Sequence, residues 1–149
     1  KGNEGVANFV KLTAGSIGYV EFAYAKQNKM NFAQLRNKDG QFVAPSEDSF
    51  KAAAAHADWE KAPGFYEILT NEPGKASWPI TGATFILMHK NQDKPEAAKD
   101  TIKFFDWAYG NGDQTALDMD YIPMPENVVK LIRQAWKANL KDAAGKPIL

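Results

Sequence analysis

The hydrophobic and polar positions of this chain follow two periodicities, which together predict a mixture of helices and strands. Apolar residues recur at helical spacing in four stretches, which predicts four amphipathic helices. These stretches are residues 4–13 with Asn3 as the cap, residues 21–27, residues 95 to 110, and the residues after Pro125. In the helix that Pro95 begins, Ala98, Ile102, Phe105 and Tyr109 are predicted to share one inner face. A fifth helix is predicted from Ser46, a favourable cap, through the alanine run 52–55 to about Asp58. A short helix is also expected at residues 113–119.

Two apolar stretches predict strands instead. Ile17, Tyr19 and Val20 suit a pleated strand, and Gly18 leaves space in which another group can approach closely. Residues 84–88, Thr-Phe-Ile-Leu-Met, form a continuous apolar run between polar and turn-forming residues. Such a run is typical of a strand that is buried on both faces of a parallel sheet.

A β-hairpin is predicted where residues 32–37 and 41–44 flank Lys38-Asp39-Gly40, because Asp-Gly is a common hairpin turn. Residues 65–69, which lie between two Pro-Gly breaks, fit a strand or a short helix. Taken in order, these helices and strands predict an α/β fold.

Composition narrows the possible function. The chain has 149 residues, equal numbers of basic and acidic side chains, and no cysteine. A formal charge of zero gives no electrostatic reason to expect nucleic acid or an anionic membrane as a partner. The lack of cysteine excludes a disulfide framework and a cysteine nucleophile within these residues. No apolar run approaches the roughly 18 residues that span a bilayer.

Candidate catalytic groups are few. His56 and His89 are the only histidines, and neither has a partner at metal-ligand spacing, so surface or packing roles are expected. The acidic pair Asp118 and Asp120 fits a turn better than acid and base catalysis. Ser16 lacks the spacing of a nucleophile elbow. We therefore predict no catalytic residue, no metal site and no cofactor.

Several motifs carry a resemblance to a known family. The motifs are Gly-Ser-Ile-Gly-Tyr-Val-Glu-Phe-Ala-Tyr-Ala-Lys-Gln-Asn at residues 15–28, Lys-Gly-Asn-Glu-Gly at 1–5, Trp-Pro-Ile-Thr at 78–81, Thr-Phe-Ile-Leu-Met-His-Lys at 84–90, Lys-Phe-Phe-Asp-Trp-Ala-Tyr at 103–109, Ala-Trp-Lys-Ala-Asn-Leu-Lys-Asp at 135–142, and Gly-Lys-Pro at 145–147. Together they resemble the C-terminal portion of the periplasmic phosphate-binding proteins of high-affinity phosphate ABC transporters.

The resemblance implies a type II periplasmic binding protein-like fold, with two lobes that each consist of a sheet flanked by helices. Residues 1–80 would be the C-terminal part of the second lobe, 81–84 a hinge crossover, and 85–149 a return segment of the first lobe. The hinge residues implied are Trp78, Pro79, Thr81 and Thr84.

The full set of loops with which the family holds phosphate is not found in this chain. The family uses a threonine-phenylalanine pair, a serine, an aspartate, and an arginine followed by Ser-Gly-Thr. Here the only arginines are Arg36 and Arg133, and no Ser-Gly-Thr occurs. We therefore expect the phosphate ligands to lie before Lys1, in an N-terminal portion of the same protein.

The resemblance implies a non-enzymatic protein that captures inorganic phosphate in the periplasm and delivers it to the membrane subunits of an ABC permease. A basic face of the last helix, formed by Lys130, Arg133, Lys137 and Lys141, is a hypothetical permease-docking surface, although a solvated face would have the same pattern. Alternatives are a binding protein for sulfate or molybdate, a phosphate-ester hydrolase that uses His56 or His89, and an independent interaction module. By itself the chain is expected to be poorly stable or to oligomerise, because residues 84–88 would lack partners.

Overall fold

The computed structural model describes all residues from 1 to 149 and contains six α-helices, one 3-10 turn and four very short strands. The helices are α1 (Gly2–Leu12), α2 (Phe22–Gln27), α3 (Glu47–His56), α4 (Pro95–Asn111), α5 (Asp113–Asp118) and α6 (Glu126–Asn139). The strands are β1 (Leu35–Arg36), β2 (Phe42–Val43), β3 (Asn91–Gln92) and β4 (Lys141–Asp142), and the 3-10 turn is Pro63–Phe65. Helix and sheet are therefore mixed, which agrees with the α/β class at this coarse level.

The four strands form two separate ladders. β1 and β2 are antiparallel, with Leu35 opposite Val43 and Arg36 opposite Phe42, so the predicted hairpin is confirmed. β3 and β4 are parallel and bring together segments about fifty residues apart in the chain. No regular strand forms at residues 65–69, where the 3-10 turn is followed by an isolated antiparallel bridge between Thr70 and Ile80.

The local signals at the start of α3 act as the sequence predicts. The Ser46 hydroxyl accepts a hydrogen bond from the backbone N–H of Ser49 at 3.2 Å, and the Ser49 hydroxyl accepts one from the Ser46 N–H at 2.9 Å. This reciprocal pair satisfies two amides that the first helical turn cannot satisfy itself. The helix ends at His56, two residues before the predicted end.

Differences from the predicted helix ends also occur at α1, α4 and α6. Asn3 does not cap α1 but lies within it, and its side-chain oxygen accepts a hydrogen bond from the Glu21 N–H at 3.2 Å. α4 continues through Gly110 and ends at Asn111, because an isolated glycine weakens a helix without ending it. α6 ends at Asn139 since Leu140 takes an extended conformation, so Lys141 lies in β4 and not on the helix.

Both single-strand predictions are wrong for this structure. No backbone group of residues 17–20 or 83–88 takes part in a hydrogen bond, and neither stretch belongs to a ladder. The physical reason is that a strand exists only beside another strand, and no other segment of the chain offers an edge to either stretch. The expectation at Gly18 is nevertheless confirmed, because a Cβ there would lie only 2.8 Å from Cγ2 of Val10 on α1.

Eight of the thirteen buried hydrophobic residues form two clusters that share α6. The first cluster contains Ala54, Trp59, Leu69 and Val128, and the second contains Ala98, Ile102, Leu140 and Ile148. The predicted inner face of α4 is confirmed by the burial of Ala98 and Ile102. α6 joins the clusters because its N-terminal half packs on the first and its C-terminal end packs on the second. None of the helices has both the length and the hydrophobicity needed to cross a bilayer.

Candidate functional site

Residues 78–84, which contain the four predicted hinge residues and the predicted crossover 81–84, begin in a hydrogen-bonded part of the backbone and end in a part without backbone hydrogen bonds. The N–H of Trp78 donates to the Ser49 carbonyl at 3.0 Å, and its buried indole meets Phe50 edge to face with the ring centroids 6.3 Å apart. The Thr81 hydroxyl donates to the Trp78 carbonyl at 3.1 Å. The backbone hydrogen bonds stop after this point, and Thr84 is exposed.

Pro79 is also fixed by a backbone hydrogen bond, because its carbonyl accepts from the Asn71 N–H at 2.8 Å. Together with the neighbouring bridge between Thr70 and Ile80, this bond fixes the chain just before the free segment. The four predicted hinge residues therefore occupy different environments. Trp78 and Pro79 are anchored, Thr81 marks the boundary, and Thr84 lies in the free segment.

A buried asparagine fixes the loop that leads into this region. Asn37 is only 5% exposed, and its side-chain nitrogen lies 3.1, 3.0 and 3.2 Å from the carbonyl oxygens of Gly74, Lys75 and Ser77, which share its two N–H donors. Its side-chain oxygen accepts from the N–H of Gln41 at 3.0 Å. Sequence reasoning missed Asn37, since its position at the end of a hairpin strand indicates a turn and gives no sign of partners nearly forty residues away.

The same loop requires a glycine. Gly74 has a φ of +112°, which is unfavourable for residues with a Cβ, and a Cβ there would lie 2.7 Å from the Ser77 hydroxyl oxygen and 3.0 Å from the His56 ring. His56 is exposed, and its Nδ1 is hydrogen bonded with the Ala52 carbonyl at 2.7 Å. His56 thus covers this loop at the surface, and His89 is exposed in a different part of the chain.

The four residues of the hypothetical docking face are not equivalent. Arg133 is paired with Asp106 of α4, with Nε to Oδ1 at 2.7 Å, and Lys130 lies 3.6 Å from Glu126 on its own helix. Lys137 and Lys141 are exposed and have no acidic partner within 4 Å. Of the four, the cations without an acidic partner are Lys137, in the last turn of α6, and Lys141, which lies beyond the helix in β4.

The acidic pair near residue 120 is separated by its hydrogen bonds. Asp120 lies 2.5 Å from the Lys26 ammonium and 3.3 Å from the Gln27 amide nitrogen, whereas Asp118 accepts from Gln114 at 2.7 Å. The hydrogen bond from Lys26 holds the pKa of Asp120 below its ordinary value. The cluster around Asp120 ties the turn after α5 to α2, and each carboxylate is engaged by its own neighbours.

The pKa of one other carboxyl group, that of Glu72, is shifted from its ordinary value. Burial raises the pKa of Glu72 above its usual range, and the nearby charges of Glu67 and Asp58 act in the same direction. Across the chain, no group of three or more histidine, aspartate or glutamate side chains is placed to hold a metal ion. The two arginines lie in different parts of the molecule, because Arg133 pairs with Asp106 of α4 while Arg36 lies beside Gly40 in the hairpin.

Comparison with known proteins gives a consistent result. The chain is 54% identical to the phosphate-binding protein PstS of Pasteurella multocida over 148 residues, which is 99% of this chain and 43% of that protein. It is 53% identical to PstS of Haemophilus influenzae over 141 residues and 49% identical to PstS of Xylella fastidiosa strain 9a5c over 141 residues. These two matches cover 95% of this chain and 42% and 39% of the respective proteins. No family model matches the chain.

The chain thus spans about two fifths of the length of the relatives that it matches. About half of the aligned residues are identical, and the alignments include nearly every residue of the chain. The resemblance inferred from the sequence motifs is therefore confirmed: over nearly its whole length the chain is homologous to part of the phosphate-binding proteins PstS.

Proposed function

We propose that the chain is a section of a periplasmic protein that binds inorganic phosphate and delivers it to the membrane subunits of an ABC transporter. The observation that supports this most is the 54% identity with a protein named for phosphate binding over 148 residues. The name points to phosphate and away from sulfate or molybdate. It also points to binding without catalysis, which makes a phosphate-ester hydrolase a less favoured alternative.

In this proposal the chain supplies scaffold and hinge, and the phosphate ligands come from the part of a PstS-length protein that the chain does not match. Residues 1–80 would belong to one lobe and 85–149 to the other, in a type II periplasmic binding protein-like fold. The end of backbone hydrogen bonding after Thr81 supports a hinge at residues 81–84. Since α3 and α6 share the first core cluster, closure would require movement at that contact.

The proposal can be tested with a chimera in which the 149 residues replace the part that they match in the Pasteurella multocida protein. We expect calorimetry to show phosphate binding with an affinity close to that of the parent, and sulfate in excess to compete poorly. A chimera with cooperative thermal unfolding that binds no phosphate would overturn the proposal. The parent protein, measured in the same buffer, is the control.

The docking surface is a separate part of the proposal and is reduced to Lys137 and Lys141. Charge steering by exposed cations affects association with a partner more than it affects the fold. Reversing both charges in the chimera should therefore slow phosphate uptake by cells that carry it and leave its phosphate affinity intact. A matched control reverses Lys11 and Lys75, two exposed cations elsewhere that also have no ion-pair partner. Equal uptake by the two double variants would refute this assignment.

A further inference from the structure

The end of α4 contains the only asparagine of this chain that is followed by glycine. Asn111 is the last residue of the helix and is exposed, and Gly112 links α4 to α5. An asparagine side chain can be attacked by the backbone nitrogen of the next residue, and glycine permits the closest approach because it has no Cβ. This dipeptide is therefore the most favourable place in the chain for a spontaneous reaction of an asparagine side chain.

The packing at this junction requires the glycine. A Cβ at residue 112 would lie 2.6 Å from the Ala108 carbonyl oxygen, a backbone atom that cannot rotate away. Gly112 is also held by both helices, since its N–H donates to the Ala108 carbonyl at 2.7 Å and its carbonyl accepts from the Ala116 N–H at 2.9 Å. The residue that makes Asn111 reactive is thus one that the fold cannot easily exchange.

In the closed helix both reactive groups are engaged in hydrogen bonds. The side-chain nitrogen of Asn111 donates to the Trp107 carbonyl at 2.9 Å, and the nitrogen of Gly112 donates to the Ala108 carbonyl. The last turn of α4 must therefore open before the two groups can meet. Opening costs little free energy there, because helix ends fray and because Gly110, an exposed residue, stabilises a helix less than alanine does.

We propose that Asn111 is a site of spontaneous deamidation that is controlled by opening of the last turn of α4. The Gly112 nitrogen gives up its proton and forms a bond with the side-chain carbonyl carbon of Asn111. The bond from that carbon to the side-chain nitrogen breaks, and ammonia leaves with the proton. Water then opens the resulting cyclic imide at either carbonyl, which gives an aspartyl or an isoaspartyl linkage. Water is the only co-reactant, and no atom is oxidised or reduced.

The product cannot restore the end of the helix. A carboxylate has no hydrogen to donate to the Trp107 carbonyl, and its negative charge is unfavourable at the C-terminal end of a helix. An isoaspartyl linkage also adds one carbon atom to the backbone, so Gly112 cannot keep its bonds to both Ala108 and Ala116. Deamidation therefore loosens the connection between α4 and α5.

Peptide mapping by mass spectrometry, after storage of the 149-residue chain at mildly alkaline pH, measures the reaction at each asparagine. We expect the peptide with Asn111 to gain the mass difference between an amide and an acid before any other asparagine does, and Asn111→Gln to prevent this gain. Isoaspartate formed at Asp39-Gly40 in the hairpin brings no change in mass, so the map distinguishes the two. An unmodified Asn111 after another asparagine has reacted would overturn the proposal.

Gly110→Ala tests the control by helix opening. Alanine stabilises the helix, and no other part of the chain lies within 4 Å of a Cβ at residue 110. In the folded chain the substitution should slow deamidation about three- to fivefold, and in denaturant both proteins should react at the same rate. Equal rates in the folded state would refute the control by opening.

Hydrogen exchange tests the loosening of the junction. The Gly112 amide should exchange about fivefold faster in the modified chain, which is the factor expected from the loss of one hydrogen bond. The Ala53 amide in α3, which lies in a different helix, is the control and should exchange at the same rate in both forms. Unchanged exchange at Gly112 would show that the helix end closes again after the reaction and would contradict this part of the proposal.

Discussion

The side chain of Asn37 provides the sharpest test of how this fold is held together. One buried amide group donates to three backbone carbonyls of the loop 74–77 and accepts from a fourth backbone group, the Gln41 N–H. Replacing Asn37 with alanine removes all four hydrogen bonds and leaves backbone acceptors such as the Ser77 carbonyl without a partner. Ser77 is fully buried, so water cannot easily take the place of the amide.

The expected cost follows from these contacts. A net hydrogen bond contributes about 1 kcal/mol, and a buried group left unsatisfied costs about 1–3 kcal/mol. Because the four bonds share one residue and are not independent, we expect Asn37→Ala to lower the free energy of unfolding by about 2–4 kcal/mol. Such a loss is a large part of the total stability of roughly 5–15 kcal/mol that a domain has. Asn37→Asp should cost at least as much at neutral pH, since a carboxylate cannot donate to three carbonyls.

Urea unfolding followed by tryptophan fluorescence measures this effect, because Trp59 and Trp78 are both buried next to the regions concerned. Asn28→Ala is the matched control: its amide makes one exposed hydrogen bond to the Tyr24 carbonyl, and the change should be within about 0.5 kcal/mol. If Asn37→Ala and Asn28→Ala shift the transition equally, the loop is not held by Asn37 and the reasoning fails.

Three further predictions use the same unfolding measurement. Gly18→Ala should destabilise by about 1 kcal/mol net, because the new Cβ would lie 2.8 Å from Cγ2 of Val10 and 3.0 Å from Cγ1 of Val6. The loss should shrink in a Val10→Ala background and disappear when Val6 and Val10 are both alanine; a loss that persists in the double background would contradict the clash. Glu72→Gln should stabilise the fold near pH 7 and have no effect near pH 4. The pKa of Glu72 is raised in the folded state, so ionisation of its carboxyl group above the ordinary value of 4.5 weakens the fold. Equal gains at both pH values would argue against this. Asp120→Asn should destabilise the fold at neutral pH, because the charged carboxylate is the partner of Lys26. The difference should vanish as acid protonates Asp120 through its lowered pKa, below the ordinary 3.8, and equal stability of the two proteins at neutral pH would show that Lys26 contributes nothing.

The features that sequence analysis predicted correctly are those with local causes. Ser46 caps α3 through a residue three positions away, Pro95 begins α4, and Asp39-Gly40 turns the hairpin. The periodicity of α4 likewise identified Ala98 and Ile102 as buried. Each signal is contained within one helix or one turn, so neighbouring residues suffice to determine it.

The candidate site was predictable only in part. The motifs around residues 15–28 and 78–90 identified the relatives, and Gly18 was recognised as a point of close approach. The pairing of Arg133 with Asp106, by contrast, joins two helices and could not be read from either one. It removes Arg133 from the basic face on which the sequence had placed it.

By itself, then, the sequence determined the helices, the hairpin and the kinship with PstS, because spacing, caps and turn residues act over a few positions. Tertiary structure alone decided that Asn37 holds a distant loop and that residues 83–88 stay unpaired. Strand formation needs a second backbone at hydrogen-bonding distance, and whether such a backbone is available is a property of the assembled molecule and not of the apolar run itself.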